Sequence, residues 1–352
     1  MDAARANSWT VLIYTSASHD LEKAVQESLE EITEHGVPQD VRVVAQMGAQ
    51  GSIQRYQLDQ SEKPEPLEPG RAGEMNDPQE LKDFLSWGMQ KYPAQHYAVV
   101  LGGHGAGFAG AVTDSQRRRM IPLPDLEESL GELPRRPDLV VFNTCLMAQA
   151  EVASQLQTVS DHLVASQSEL LGLGLPLSQW LGQLPAQPTG AAAAEKLVEV
   201  SRGLGERAPA VASIDLRAFP ELRDRLDELA VTILDHPQAF ATLRSHIEQQ
   251  PHLWPRPQDR PLVDQLDLAG LCRDWQQDSS LPEALRQQAG ETGETLARLC
   301  RSSEELGGMS IYAPARDNGA FVNQIYARLR FAQQTRWDEA VQALSSSNPH
   351  NP

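Results

Sequence analysis

Two side chains that can do chemistry together follow two apolar runs of the sequence. His104 lies between two glycines directly after the run 97–102, and Cys145 follows the run 139–142 after two intervening residues. Short continuous apolar runs of this kind are typical of buried strands in a parallel sheet. Because parallel strands end at the same edge of a sheet, we expect the histidine and the cysteine to lie close together there, where open α/β sheets form their sites.

A cysteine beside a histidine points to nucleophilic catalysis. The helix predicted to begin at about Met147 would favour the thiolate of Cys145 through the partial positive charge at its N-terminus. Backbone N–H groups at such a position can stabilise an oxyanion, and the imidazole of His104 can exchange a proton near neutral pH. The pattern alone leaves two simpler interpretations open, in which Cys145 is a small core residue and His104 an ordinary loop residue.

Alternating strands and helices must position this pair. Apolar and periodic runs predict N-terminal strands at 9–15, 41–47, 97–102, 139–142 and 163–166, and helices at 20–34, 77–92, 125–133 and 147–159. In the C-terminal half they predict helices at 191–204, 219–235, 237–249, 266–274 and 282–301, with strands at 210–216 and 308–313. This order predicts an α/β fold with a mostly parallel central sheet and additional C-terminal helices.

The same pattern predicts how the chain is divided. We expect an N-terminal tail over 1–8 and a catalytic core over 9–180. A helical C-terminal part over 181–344 would return its late strand to the same fold, and the Ser/Asn/Pro-rich residues 345–352 are expected to be a disordered tail.

Composition excludes several classes of protein. The 352 residues, 40% of them hydrophobic, suffice for a sizeable core, and the formal charge of −18 argues against nucleic acid or an anionic membrane as the main partner. Three cysteines, with Cys272 and Cys300 in leucine-rich helical contexts, predict neither a disulfide framework nor a zinc site. No stretch resembles a membrane span or a signal sequence, so we expect a reduced, cytoplasmic protein.

At these residues the sequence resembles the clostripain family of cysteine peptidases. That family shows a His-Gly after one strand and an Asp-x-Cys-Leu-Met after the next, followed by a helix with a glutamate. Here His104-Gly105, the segment 143–147 and Glu151 match these features in order. Further similar segments lie at 9–22, 74–87, 166–169, 213–216 and 308–314, so the likeness covers most of the chain.

The resemblance implies a caspase-like α/β/α sandwich and an endopeptidase that hydrolyses peptide bonds. Cys145 would be the nucleophile and His104 the general base or acid. The backbone N–H groups of Gly105 and Cys145 would stabilise the oxyanion. The residues implied to bind substrate are Asn143, Ser166, Gln167 and Glu169.

Three further properties are implied by the resemblance. Family members usually cleave after arginine or lysine, often need Ca²⁺, and often mature by self-cleavage after a basic residue between the two motifs. We therefore expect cleavage at Arg117, Arg118 or Arg119, with a solvated basic loop as the alternative. Asp20, Asp114 and Asp215 are candidate calcium ligands, although no EF-hand-like loop marks a site.

One residue departs from the family pattern. The aspartate two residues before the cysteine is Asn143 in this chain, and an amide supplies no charge for a cationic side chain of the substrate. The stretch 170–175 is apolar where an acidic contact would be expected, which leaves Glu169 to compensate. The sequence therefore leaves open both a basic and a non-basic preference at P1, the substrate residue before the cleaved bond.

Two other functions compete with the peptidase. A non-catalytic caspase-like scaffold or sensor is disfavoured because both His104 and Cys145 are present. Another cysteine-dependent hydrolase or acyltransferase is disfavoured by the order of the two residues along the chain. The expected partner is a polypeptide substrate, and some relatives act in bacterial cell death or defence beside gasdermin-like pore formers.

Overall fold

A computed structural model describes residues 7–17, 20–59, 61, 63–114, 119–170, 174–184, 189–204, 210–251, 253, 264–303 and 306–346. The strands are β1 (Asn7–Ser16), β2 (Val41–Ala49), β3 (Ser52–Leu58), β4 (Glu65–Pro66), β5 (Arg71–Ala72), β6 (Ala94–Gly102), β7 (Ala111–Asp114), β8 (Arg119–Ile121), β9 (Leu139–Asn143), β10 (His162–Ser166), β11 (Val211–Asp215), β12 (Gln265–Asp267), β13 (Cys300–Ser302) and β14 (Ser310–Tyr312).

The helices are α1 (Glu22–His35), α2 (Pro78–Lys91), α3 (Leu123–Gly131), α4 (Ala150–Leu156), α5 (Leu177–Gly182), α6 (Gly190–Arg202), α7 (Phe219–Leu234), α8 (Phe240–Gln249), α9 (Leu268–Gln277), α10 (Glu283–Leu299), α11 (Ala320–Tyr326), α12 (Arg330–Gln334) and α13 (Trp337–Ser346). Short 3-10 segments lie at Gly107–Ala109 and Pro237–Ala239. No helix within the described ranges is long and apolar enough to cross a membrane.

A ten-stranded sheet forms the centre of the molecule. Its order is β13-β11-β10-β9-β6-β1-β2-β3-β4, and β5 also pairs with β3. The five central strands, from β10 to β2, pair in parallel. On one side β11 and β13, and on the other β3, β4 and β5, each pair antiparallel with the strand before them in the sheet. The predicted α/β fold with a mostly parallel centre is therefore confirmed.

Helices cover both faces of this sheet. Val99 and Val140 belong to the core on the face covered by α2, α3 and α4, while Val100 and Val141 belong to the core on the face covered by α1, α5 and α6. Successive residues of a strand point to opposite faces, so a strand buried on both faces must be apolar throughout. This explains the continuous apolar runs and gives the α/β/α sandwich.

The C-terminal part extends the core on the face of α2, α3 and α4. Helices α7 and α10 pack together there, and α13 packs against α7. The strand expected at 308–313 is β14, but it pairs with β12 in a separate two-stranded sheet rather than entering the central one. Because β11 already occupies the outer edge of β10, the described chain after β11 joins the central sheet through β13, which pairs with β11.

Both chain ends are more ordered than expected where the structure describes them. Strand β1 begins at Asn7, inside the expected tail 1–8, and residues 1–6 lie outside the described part. Helix α13 continues to Ser346, so the expected disordered tail cannot begin at Ser345, and residues 347–352 are not described.

Candidate active site

Neighbouring strands bring the predicted pair to one cleft. Strands β6 and β9 are parallel and in register, with Gly102 opposite Asn143 at their ends. His104 lies two positions after Gly102, and Cys145 lies two positions after Asn143. Both line the same cleft of about 430 Å³. The equal strand ends place both side chains at the carboxyl edge of the sheet, as the sequence predicts.

A glycine turn exposes the histidine at the end of β6. Gly103 has a φ of 125°, in the region that favours glycine, and a Cβ there would lie 3.3 Å from the Ser16 backbone oxygen. The turn leads directly to His104, whose side chain is 39% exposed. A substrate in the cleft can therefore reach the imidazole.

The next residue brings the histidine loop against the cysteine loop. A Cβ on Gly105 would lie only 2.5 Å from the carbonyl oxygen of Cys145. Gly105 forms an isolated antiparallel bridge with Ala111, and the hydrogen bonds of this bridge are donated by the N–H groups of Ala106 and Val112. The N–H of Gly105 is not used in that pairing, which is compatible with the oxyanion role implied for it.

The cysteine lies in a turn that is held by the neighbouring chain. Leu146 has a φ of 65°, and its N–H donates to the carbonyl of Ser168 at 3.1 Å. The Cys145 side chain is half-buried, and its Sγ accepts a hydrogen bond from the N–H of Leu170 at 3.3 Å. These bonds orient the sulfur toward the cleft wall formed by the segment after β10.

The helix after the cysteine starts later than predicted. It begins at Ala150 rather than at about Met147, because the turn at Leu146 and its bonds to the chain after β10 replace the first expected turn. The helix N-terminus therefore does not lie at Cys145. Burial instead raises the pKa of the Cys145 thiol above its ordinary value, Glu169 raises it further, and the Leu170 N–H only partly opposes this. The expected thiolate is not favoured at rest, so a general base is needed.

An aspartate that pairs with the histidine is the main feature that sequence reasoning missed. Nε2 of His104 lies 3.1 Å from Oδ2 and 3.3 Å from Oδ1 of Asp20. Asp20 stands in the turn before α1 and lines the same cleft. The two residues are 84 positions apart, so no local pattern links them.

The four residues implied to bind substrate fall into two groups. Asn143 and Glu169 line the cleft. Oδ1 of Asn143 accepts a hydrogen bond from the N–H of Leu175 at 2.7 Å, so this amide also holds the chain that borders the cleft. A Cβ on Gly174 would lie 2.2 Å from the same oxygen, which shows how closely the two segments pack.

Ser166 and Gln167 lie behind the cleft rather than in it. Both are fully buried, and the structure does not include them in the cleft lining. Nε2 of Gln167 donates to Oδ1 of Asp267 at 2.7 Å, and its Oε1 accepts from the N–H of Gly308 at 3.1 Å. The expectation that these two residues contact substrate is therefore corrected: Gln167 ties the end of β10 to the C-terminal part.

The remaining wall of the cleft comes from α1 and from apolar strand residues. Leu21, at the helix start, is followed along one face by small and apolar side chains, as the sequence periodicity predicts. The residues of α1 and its N-cap that line the cleft are Leu21, Ala24, Val25, Ser28 and Leu29; apolar residues from elsewhere are Ile13, Val100, Leu170 and Leu177. The cleft thus combines an apolar surface with the polar side chains of Asp20, His104, Asn143, Cys145 and Glu169.

Glu151, which matches the family glutamate, is buried in α4 away from the cleft. Its Oε1 accepts hydrogen bonds from the N–H of Tyr312 at 3.0 Å and from the hydroxyl of Tyr326 at 2.7 Å. Burial raises the pKa of Glu151 from 4.5 to about 7, although both hydrogen bonds favour the charged form. The carboxyl joins the helix after the cysteine turn to two C-terminal elements.

The described residues contain no group of three or more His, Cys, Asp or Glu side chains that could hold a metal ion. Of the three candidate ligands, Asp20 pairs with His104, and Asp215 accepts two hydrogen bonds from the guanidinium of Arg217. Asp114 lies opposite Arg119 in the hairpin of β7 and β8.

The fold described above is shared with cysteine proteases. The clostripain family matches residues 13–346, so the chain belongs to this family. A comparison with curated proteins found no match.

Solved structures share the fold. A secreted C11 cysteine protease from Bacteroides thetaiotaomicron, in complex with an irreversible peptide inhibitor, is 21% identical; the match covers 95% of this chain and 100% of that chain, with a TM-score of 0.73. An inactive zymogen C11 protease from Parabacteroides distasonis is 18% identical, with coverage of 94% and 99% and a TM-score of 0.73. At these identities the likeness shows that the architecture is shared.

Proposed function

We propose that the chain is an endopeptidase in which Cys145 is the nucleophile and His104 the general base and then acid. The observation that carries this proposal is that the two side chains line one cleft from the ends of adjacent, in-register parallel strands. The other two cysteines, Cys272 and Cys300, are buried, and burial raises the pKa of each thiol to about 12. Neither is suited to act as a nucleophile.

The reaction needs proton transfer because the thiol is neutral at rest. His104 takes the proton from Sγ of Cys145 as the sulfur adds to the carbonyl carbon of the substrate. The electron pair of the C=O bond moves to oxygen, where the N–H groups of Gly105 and Cys145 stabilise the charge. When the tetrahedral intermediate collapses, the C–N bond breaks and His104 donates the proton to the leaving amine. A water molecule, deprotonated by His104, then adds to the thioester carbon; the C–S bond breaks, and His104 returns the proton to the sulfur, which restores the thiol.

Active-site labelling tests this assignment. An acyloxymethylketone peptide probe should label Cys145 in the wild type and fail to label Cys145→Ala, and labelling should fall strongly in His104→Ala. Cys272→Ala is the matched control because it removes a buried thiol outside the cleft, and it should be labelled like the wild type. Peptidase activity that persists in purified Cys145→Ala would refute the proposal.

The preference at P1 rests on the charges near the thiol. We propose that Glu169 binds a basic P1 side chain, since this carboxylate lines the cleft and influences the ionisation of Cys145. Asn143 contributes no charge, and its Oδ1 is engaged by the N–H of Leu175. One carboxylate should give a weaker selection for arginine and lysine than two would.

The apolar wall supports a second candidate preference. The side chains of α1 and the strand residues around them, described above, offer a surface for an aliphatic or aromatic P1 side chain. A non-basic preference would then follow from the replacement of an acidic residue by Asn143.

A P1 library on three proteins separates the two candidates. With a basic preference, Glu169→Gln should lose most of its activity on arginine substrates and little on leucine substrates. Asn143→Asp keeps an oxygen that can accept from Leu175 and adds a charge, so it should shift selection further toward arginine. Wild-type activity on leucine substrates that exceeds activity on arginine and lysine, unchanged in Glu169→Gln, would establish the non-basic preference instead.

We also propose self-cleavage in the basic run. Arg117 and Arg118 lie outside the described residues. Arg119 is exposed at the start of β8, opposite Asp114 of β7. In β7, the N–H of Val112 donates a hydrogen bond to the carbonyl of His104. A cut in the hairpin of β7 and β8 would act close to the histidine loop, and one of the similar structures is that of an inactive zymogen.

Intact-mass measurement of wild type beside Cys145→Ala tests the cleavage. The wild type should separate into two fragments whose junction maps to 117–119, and Cys145→Ala should stay whole. An uncut wild type with full peptidase activity would refute self-cleavage as the activating step.

A bacterial gasdermin-like protein is a candidate physiological substrate by family resemblance, and its cleavage by wild type but not by Cys145→Ala would support that assignment.

A further inference from the structure

We propose that Asp20 is a positioning residue that holds the His104 ring through Nε2, so that Nδ1 is the nitrogen that exchanges the proton with Cys145. The inference rests on the proposed Cys145/His104 mechanism. It concerns a residue from the opposite wall of the cleft, in the turn that leads into α1.

The contact geometry selects one ring nitrogen. Both carboxylate oxygens of Asp20 lie within hydrogen-bond range of Nε2, at 3.1 and 3.3 Å. A carboxylate can only accept, so Nε2 carries the hydrogen in this contact. A neutral imidazole then has its lone pair on Nδ1. Because the Cys145 thiol is the proton donor, the tautomer with an unprotonated Nδ1 is the competent one.

The carboxylate also acts during the proton transfer. When Nδ1 takes the thiol proton, the ring becomes an imidazolium with its second N–H directed at a negative charge, which stabilises the charged ring. Among the described residues, the titratable groups that line the cleft with His104 are Asp20, Cys145 and Glu169. Of these, Asp20 has the direct contact with the ring, so its removal should act on His104 first.

Solvent limits the size of the effect. The side chain of Asp20 is 65% exposed and that of His104 39% exposed. An exposed ion pair is screened by water, so loss of the carboxylate should lower kcat by about 5- to 10-fold, far less than in a buried triad. For the same reason the thermal stability should be almost unchanged.

The experiment compares Asp20→Asn, Asp20→Glu and Glu22→Gln, with Cys145→Ala and His104→Ala in parallel. Glu22→Gln removes the same charge two residues away, where the carboxylate contacts Gln50 rather than His104. The readouts are kcat and KM across pH on one arginine and one leucine peptide substrate, together with the melting temperature.

Asp20→Asn should lower kcat on both substrates with little change in KM. Asp20→Glu should restore part of the rate, and Glu22→Gln should match the wild type. If kcat of Asp20→Asn equalled kcat of Glu22→Gln across the pH range, the proposal would be overturned. A higher KM for the arginine substrate alone would also overturn it, since Asp20 would then bind the P1 side chain.

The variants distinguish a failure of the Cys145/His104 mechanism from a failure of the role of Asp20. If the Cys145/His104 mechanism itself were wrong, Cys145→Ala and His104→Ala would retain activity. If only the role of Asp20 were wrong, these two variants would be inactive, and Asp20→Asn would have the same kcat and KM as the control variant Glu22→Gln.

Discussion

Replacing Glu151 by glutamine should abolish a large pH dependence of stability. The carboxyl is fully buried, its Oε1 accepts from the N–H of Tyr312 and the hydroxyl of Tyr326, and its Oε2 is a buried atom without a hydrogen-bond partner among the described residues. Glutamine has the same shape, and its oxygen can keep both hydrogen bonds. The variant therefore removes the ionisation while it retains most of the packing.

The sign and size follow from proton linkage. The pKa of Glu151 is about 7 in the folded protein and 4.5 as its ordinary value, so the folded state keeps a proton that the unfolded state loses between these values. Stability should thus fall as the pH rises from about 4.5 to about 7, and change no further above that. At about 1.4 kcal/mol per pH unit, the loss is about 3 kcal/mol.

Urea denaturation between pH 5 and pH 8 measures this loss, in a Cys145→Ala background that prevents self-digestion. Other groups titrate in the same range, such as His162, whose pKa is lowered chiefly by burial. Its contribution to the stability of the folded protein increases as the pH rises. The contributions of these other groups cancel when the free energy of unfolding of Glu151→Gln is subtracted from that of its parent. The parent should lose about 2.5 kcal/mol relative to the variant over this range, since part of the span below pH 5 is not sampled. Parallel stability curves for the two proteins would refute the reasoning, and Glu22→Gln should give a curve parallel to the parent.

Three further outcomes can be measured. Gly174→Ala places a Cβ 2.2 Å from Asn143 Oδ1 at a φ of 79°, so kcat/KM should fall at least 10-fold, and a wild-type value would contradict the packing described. Gln167→Met removes the Nε2 donor to Oδ1 of Asp267, which keeps the N–H of Gly307, and removes the acceptor of the buried Gly308 N–H, so the free energy of unfolding should fall by about 2–4 kcal/mol in urea; a change below about 1 kcal/mol would contradict this. Because burial raises the pKa of Cys145, the rate of its alkylation by iodoacetamide should still be rising above pH 8, whereas a plateau below pH 7 would show a resting thiolate.

The α/β class and the placement of the candidate pair were readable from sequence because both depend on local patterns. A strand buried on both faces must be apolar throughout, so the runs before His104 and Cys145 identified two inner strands. Parallel strands share a carboxyl edge, so the residues that follow them had to meet. The family resemblance agreed with this placement and is now confirmed at the level of the family.

Only the tertiary structure decided what surrounds the pair. The turn at Leu146 delays the following helix to Ala150, because its backbone groups bond to a chain segment about 20 residues later, and the thiol environment changes with it. Gln167 lies in an apparent substrate motif, yet its partner Asp267 is 100 positions away and draws it into the interior. Asp20 meets His104 across 84 positions. Periodicity records which face of an element is buried, but the partner of a polar side chain depends on how distant elements pack, and that information exists only in the folded chain.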